Sequence, residues 1–185
     1  MSTTSLSMRV TMARAAVPLL FAALLGSGMA GPAMTAQAGV LSANCTGTEH
    51  VAFDPGMTLT AKPTKVTVDG KLNPCQTSVP GVTAAAYQET LTATLGCLDP
   101  LVPGTGIRTF HWKVGHEATS TFAYTRTVSH LGAALIVTYT GTITNGLFSG
   151  HTATQIITQI PHDPLLCATD EGVTSSSGTV TLEIV

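Results

Sequence analysis

The sequence predicts an all-β fold: an antiparallel β-sandwich of Greek-key, immunoglobulin-like form, standing behind a cleaved N-terminal signal peptide. Three observations carry that expectation. Apolar side chains alternate with threonine along 107–160, the two-residue period of a half-buried strand. Gly and Pro turn signals break the alternation about every ten residues, the spacing of short strands in an all-β domain. All four cysteines, Cys45, Cys75, Cys97 and Cys167, follow a segment laid out as an export signal.

That segment comes first. Arg9 and Arg14 make a positive start, 15–25 is an apolar run of 11 residues, and Ala36-Gln37-Ala38 is a small-x-small cleavage site. So short a run does not cross a bilayer core, which takes about 20 helical residues. Residues 1–38 are therefore expected to be removed, leaving 39–185 as one secreted, extracellular domain with no membrane attachment. Lipidation at Cys45 is disfavoured because Asn44, not a small residue, precedes it.

Residues 39–185 suffice for one hydrophobic core. They carry six Lys and Arg against ten Asp and Glu, a net charge of 6 − 10 = −4. That balance offers no basic footprint for nucleic acid or an anionic membrane. A surface so poor in charge must be wetted by neutral groups, and 28 threonines supply them. An even cysteine count in an exported chain implies two disulfides. No C-x-x-C occurs and no cysteine adjoins a histidine, which argues against a zinc or redox site.

The strands follow in order. The first is expected over 46–53, with Asp54-Pro55-Gly56 turning the chain. After Lys62-Pro63 the second covers 64–72. If these two form a hairpin, Cys75 returns to Cys45, which favours Cys45–Cys75 and Cys97–Cys167. The run 82–95 has some helical character, but its threonines favour a strand. Four further runs, 107–114, 119–128, 133–144 and 147–160, make an antiparallel meander. Its last turn is Asn145-Gly146, a pair suited to the positive φ of a type I′ hairpin. The terminal strand, 176–185, is expected to cross to a second sheet beside the early strands.

Opposed residues share a face, so register sorts the meander. Tyr124 is expected opposite Val137, Ile143 opposite Phe148, and Tyr139 opposite Thr152. One face then collects Phe110, Trp112, Val114, Phe122, Tyr124, Val128, Leu135, Val137, Tyr139, Ile143, Phe148 and Ile156. The other collects His111, Lys113, Thr119, Thr121, Thr125, Thr127, Thr138, Thr140, Thr142, Thr144, His151, Gln155 and Gln159. Arg108 and Arg126 fall on the dry face, where a cation needs a partner. Glu89 or Glu183 is expected to reach one of them across the sandwich, the alternative being an arginine at the end of the sheet that extends to water.

The phrases "CTGTEHVAFDPG", "TYTGTITNGLFSGHTA" and "LLCATDEGVTSSSGTVTLEI" resemble small secreted β-rich proteins of high-GC Gram-positive bacteria, a group of uncharacterised activity. The resemblance covers most of 39–185. It implies export, a β-fold and paired cysteines, and no mechanism.

Catalytic patterns are weak. In "GLFSG" Ser149 stands one place late for a nucleophile elbow. The six histidines show no ligand spacing on a strand, so no metal or cofactor is expected. His116, His130 and the pair His162-Asp163 are the loop candidates for a hydrolase of unfamiliar type. An inhibitor or toxin-like effector using the loop 98–105 is a further alternative. The row Thr138, Thr140, Thr142, Thr144, with His151 expected opposite Thr140 and Ser149 opposite Thr142, is the candidate binding surface. The leading expectation is a non-catalytic extracellular binding or structural module. Its partner would be cell-wall polysaccharide or a secreted or surface protein, with no nucleic acid.

Overall fold

The computed structural model describes residues 42–97, 102–131, 134–160 and 164–185. The expected signal segment and its cleavage site lie outside them. Eight antiparallel strands close into one barrel in the order of the sequence: β1 Ala43–Met57, β2 Lys62–Thr77, β3 Ala84–Leu95, β4 Gly104–Lys113, β5 Glu117–Leu131, β6 Ala134–Gly146, β7 Thr152–Gln159 and β8 Val173–Ile184. A 3-10 turn, Pro164–Ala168, lies in the connection before β8.

The all-β antiparallel expectation holds, and the two-sheet, Greek-key, immunoglobulin-like arrangement is corrected. The last strand does meet the first, with Val51 opposite Ser176 and Cys45 opposite Leu182. It also pairs with β7 beside it, Ile157 opposite Val180, so no strand crosses between layers. Alternation is the same in a sandwich and a barrel. Closure is decided by whether the outer strands of the meander find each other, which removes both sheet edges.

Inward positions fill the lumen, as an eight-stranded barrel allows. Leu72, Phe110, Phe122, Ile143, Ile157, Leu182 and Ile184 are fully buried, with Tyr87 and Trp112 almost so. Phe110 contacts Tyr87 edge-on and stacks on Phe122, at centroid separations of 5.7 and 5.9 Å. Tyrosines fit because glycines face them: Gly70 opposes Tyr87, and Gly106 and Gly141 flank Tyr124. A Cβ on Gly70 would strike the Tyr87 ring, and one on Gly106 the Tyr124 ring.

Three turns differ from expectation. Asp54-Pro55-Gly56 does not reverse the chain. It is an irregular stretch of β1, between Ala52 opposite Ser175 and Met57 opposite Val173, and the reversal comes at 58–61. The ladder of β5 and β6 runs on to Leu131 opposite Ala134, placing Tyr124 opposite Gly141, four residues beyond the expected partner. That even shift leaves the faces unchanged. Asn145-Gly146 remains within β6, paired to Thr121 and Ser120, and the chain reverses over 147–151. Tyr139 therefore opposes Gln155, three residues beyond the expected partner. That odd shift turns β7 over: Gln155 is buried and Ile156 faces out at 38 % exposure, the reverse of the expected faces.

Both expected disulfides form. Cys45–Cys75 is a direct cross-strand pair with Cα atoms 4.1 Å apart. Cys97–Cys167 joins the segment after β3 to the 3-10 turn. The β1–β2 connection lies between them: Leu59 N donates to Cys167 O at 3.0 Å and Cys97 N to Thr58 O at 2.9 Å. One seam of the barrel is incomplete. β3 and β4 pair only at Ala84, Ala85 and Ala86 with Lys113, Trp112 and His111.

Candidate functional site

The outward face of β4 to β7 carries the threonines. β6 places Thr138, Thr140 and Thr142 outward because Val137, Tyr139 and Ile143 go into the core. Thr144 falls at a bulge opposite Thr121 and Phe122, and its hydroxyl donates to the Thr121 carbonyl at 3.2 Å. The row then extends sideways. Thr105, Thr125, Thr140 and Thr154 stand opposite one another across four strands, and Thr127 pairs with Thr138. Rows spaced about 6.8 Å along a strand and about 4.8 Å across make a regular lattice of hydroxyls and methyls. Among the described residues, the side chains of Thr105, Thr125, Thr140, Thr142 and Thr154 have no hydrogen-bond partner, and together with Ile107 all but Thr154 line a shallow depression.

Ser149 and His151 do not join this row. The three-residue displacement puts both in the 147–151 turn, and Thr154 and Thr152 take the places opposite Thr140 and Thr142. The turn is shaped by Phe148, whose φ of 64° carries its ring into the core against Trp112, centroids 5.1 Å apart. Trp112 Nε1 in turn donates to Ser120 Oγ at 2.8 Å.

The lumen holds a second cluster, which the sequence reached in part. Arg108, 1 % exposed, meets Glu89 through Nε at 2.6 Å and Nη2 at 3.1 Å, the ion pair expected from its face. Its Nη1 donates to Gln155 Oε1 at 2.5 Å, and the guanidinium lies 4.2 Å from the Tyr87 ring centre and 4.6 Å from that of Tyr139. Burial alone would lower the Arg108 pKa. The hydrogen bonds and charge of Glu89 outweigh it and hold the cation above its ordinary value. Tyr87 Oη donates to Glu49 Oε2 at 2.8 Å. Burial raises the Glu49 carboxyl above its usual range, with Arg108 pulling the other way, and burial likewise raises Tyr87, Tyr124 and Tyr139. Glu49, Tyr87 and Gln155 were missed. The parity of β1 and β3 would have shown the first two, whereas Gln155 needed the true register. The second arginine, Arg126, instead donates to Val102 O at 3.1 and 2.8 Å.

The two described loop candidates stay apart, at opposite ends of β5. His116 is exposed in the 114–116 turn and His130 near the end of β5, while His162-Asp163 and 98–101 lie outside the described residues. His111 Nδ1 stands 4.0 Å from Glu117 Oε1, both exposed. No group of three His, Cys, Asp or Glu suited to a metal occurs among the described residues. Register does bring together one row that sequence spacing hides: Ser177, His50 and Asp69 on β8, β1 and β2, with His50 Nδ1 3.2 Å from Ser177 Oγ. Ser177 pairs with His50 on one side, and on the other its carbonyl accepts from Ile160 N at 2.9 Å, just beyond the end of the β7–β8 ladder at Gln159 opposite Gly178. No protein-family model, curated protein or solved structure matches the chain.

Proposed function

We propose that the protein is a secreted, non-catalytic binding module that works outside the cell and grips a neutral polymer, cell-wall polysaccharide, with the threonine face of β4 to β7. The observation that carries this reading is the set of unpartnered, outward hydroxyls at Thr105, Thr125, Thr140, Thr142 and Thr154, around a depression with no charged lining residue and with Glu183 at its border beside Thr154. Hydroxyl pairs donate and accept, so they match sugar hydroxyls without a counter-charge. All described aromatic residues point inward or are at least half-buried, so binding rests on many weak hydrogen bonds and gains from a repeating ligand. Two disulfides suit an oxidising compartment. Among the described residues no helix is long and apolar enough to cross a membrane.

Sedimentation of the purified protein with cell-wall polysaccharide tests the reading. The protein is expected in the pellet, and Thr125→Lys with Thr140→Lys is expected to leave it in the supernatant with its melting temperature kept. Equal sedimentation of both, or none of either, contradicts it.

A further inference from the structure

We propose that the open seam between β3 and β4 is a strand-acceptor slot that binds an uncharged, extended segment of another polypeptide. Beyond Ala86 and His111 the two strands part. β3 goes on pairing with β2 as far as Leu95 opposite Lys62, and β4 with β5 as far as Gly104 opposite Arg126, yet neither pairs with the other. Two backbone edges, 87–95 and 104–110, thus face one gap. Such an edge presents N–H and C=O groups in the strand period, and only an extended backbone satisfies them in series.

The gap is held open at both ends of the connection. Cys97–Cys167 ties the segment after β3 toward the β7–β8 connection, and Arg126 holds Val102 beside β5. Across the gap the described side-chain contacts lie on the inward face, Glu89 with Arg108 and Tyr87 with Arg108 and Phe110, and among the described residues none is made beyond Glu89 toward Leu95. Leu91 points inward on β3 but is 42 % exposed, because no strand covers it.

Chemistry selects the partner. The outward rows along the gap are Gln88, Thr90, Thr92 and Thr94 on one edge and Thr105, Ile107 and Thr109 on the other. None is charged, and no lysine, proline or bulge guards either edge; the one charged feature is the inward pair Glu89 and Arg108, which neutralise each other. A segment with β-branched or small side chains toward Leu91 and neutral ones outward is complementary. A whole second barrel is not, since its own strands are too curved and covered to enter a one-strand gap.

A random twelve-residue peptide library on phage, panned against the purified protein, tests the proposal together with amide hydrogen exchange. The free protein is expected to exchange quickly at slot-facing amides of 87–95 and 104–110. Enriched peptides are expected to be uncharged and to slow exchange in those two stretches. Alternate backbone N-methylation of a bound peptide, or Thr92→Lys in the protein, is expected to weaken binding at least about tenfold. Any of four results overturns it: slot amides as protected as those of β5 and β6 in the free protein, no enriched peptide, binding indifferent to N-methylation, or protection that grows with protein concentration alone. The threonine face is untouched by Thr92→Lys, so polysaccharide sedimentation should be unchanged in that variant.

Discussion

Arg108 is the residue on which the lumen turns. A guanidinium with 1 % exposure is tolerable only because Glu89 and Gln155 take its donors and two tyrosine rings lie beside it. Glu89→Gln leaves the cation without its counter-charge and should cost about 3 kcal/mol in chemical denaturation. Glu49 behaves oppositely. Its carboxyl is raised by burial, so the folded state holds the proton more tightly than the unfolded chain. That contribution is complete below the unfolded value near 4.5 and is lost as pH rises through the folded value. Glu49→Gln, which cannot ionise, should therefore gain stability relative to the parent at pH 7, and the gain should shrink at pH 4. Denaturation midpoints at the two pH values check the sign.

The strands show where sequence reading stops. The face of β5 and β6 was legible because the true register differs from the expected one by four residues, an even number, which keeps Phe122, Tyr124 and Tyr139 on one side. β7 was not legible. Asn145-Gly146 looks like a two-residue hairpin, but Gly146, with φ of 82°, pairs with Ser120, where a Cβ would strike the Thr119 carbonyl. The ring of Phe148 fills the barrel end and draws the reversal downstream. The consequence is measurable: Ile157→Ala should cost about 2–5 kcal/mol and Ile156→Ala well under 1 kcal/mol by urea denaturation. Equal costs would mean the register is wrong.

At the scale of the molecule, closure was beyond the sequence, because pattern specifies faces and not which strand meets which. The pairing of the cysteines was legible, since a β1–β2 hairpin brings Cys45 to Cys75 and leaves Cys97 to Cys167. The second bridge ties two connections at one end of the barrel. Replacing both Cys97 and Cys167 with Ser should cost about 2–5 kcal/mol, read as a lowered denaturation midpoint.

The proposed binding role of the threonine face, set against a locked interior, is open to direct measurement. Isotope-labelled protein titrated with soluble cell-wall polysaccharide should show NMR shift changes confined to the amides and methyls of Thr105, Thr125, Thr140, Thr142 and Thr154, with the Arg108 Nε and Gln155 signals unmoved. Changes centred on Arg108, Tyr87 and Gln155, or on His116 and His130, would contradict it.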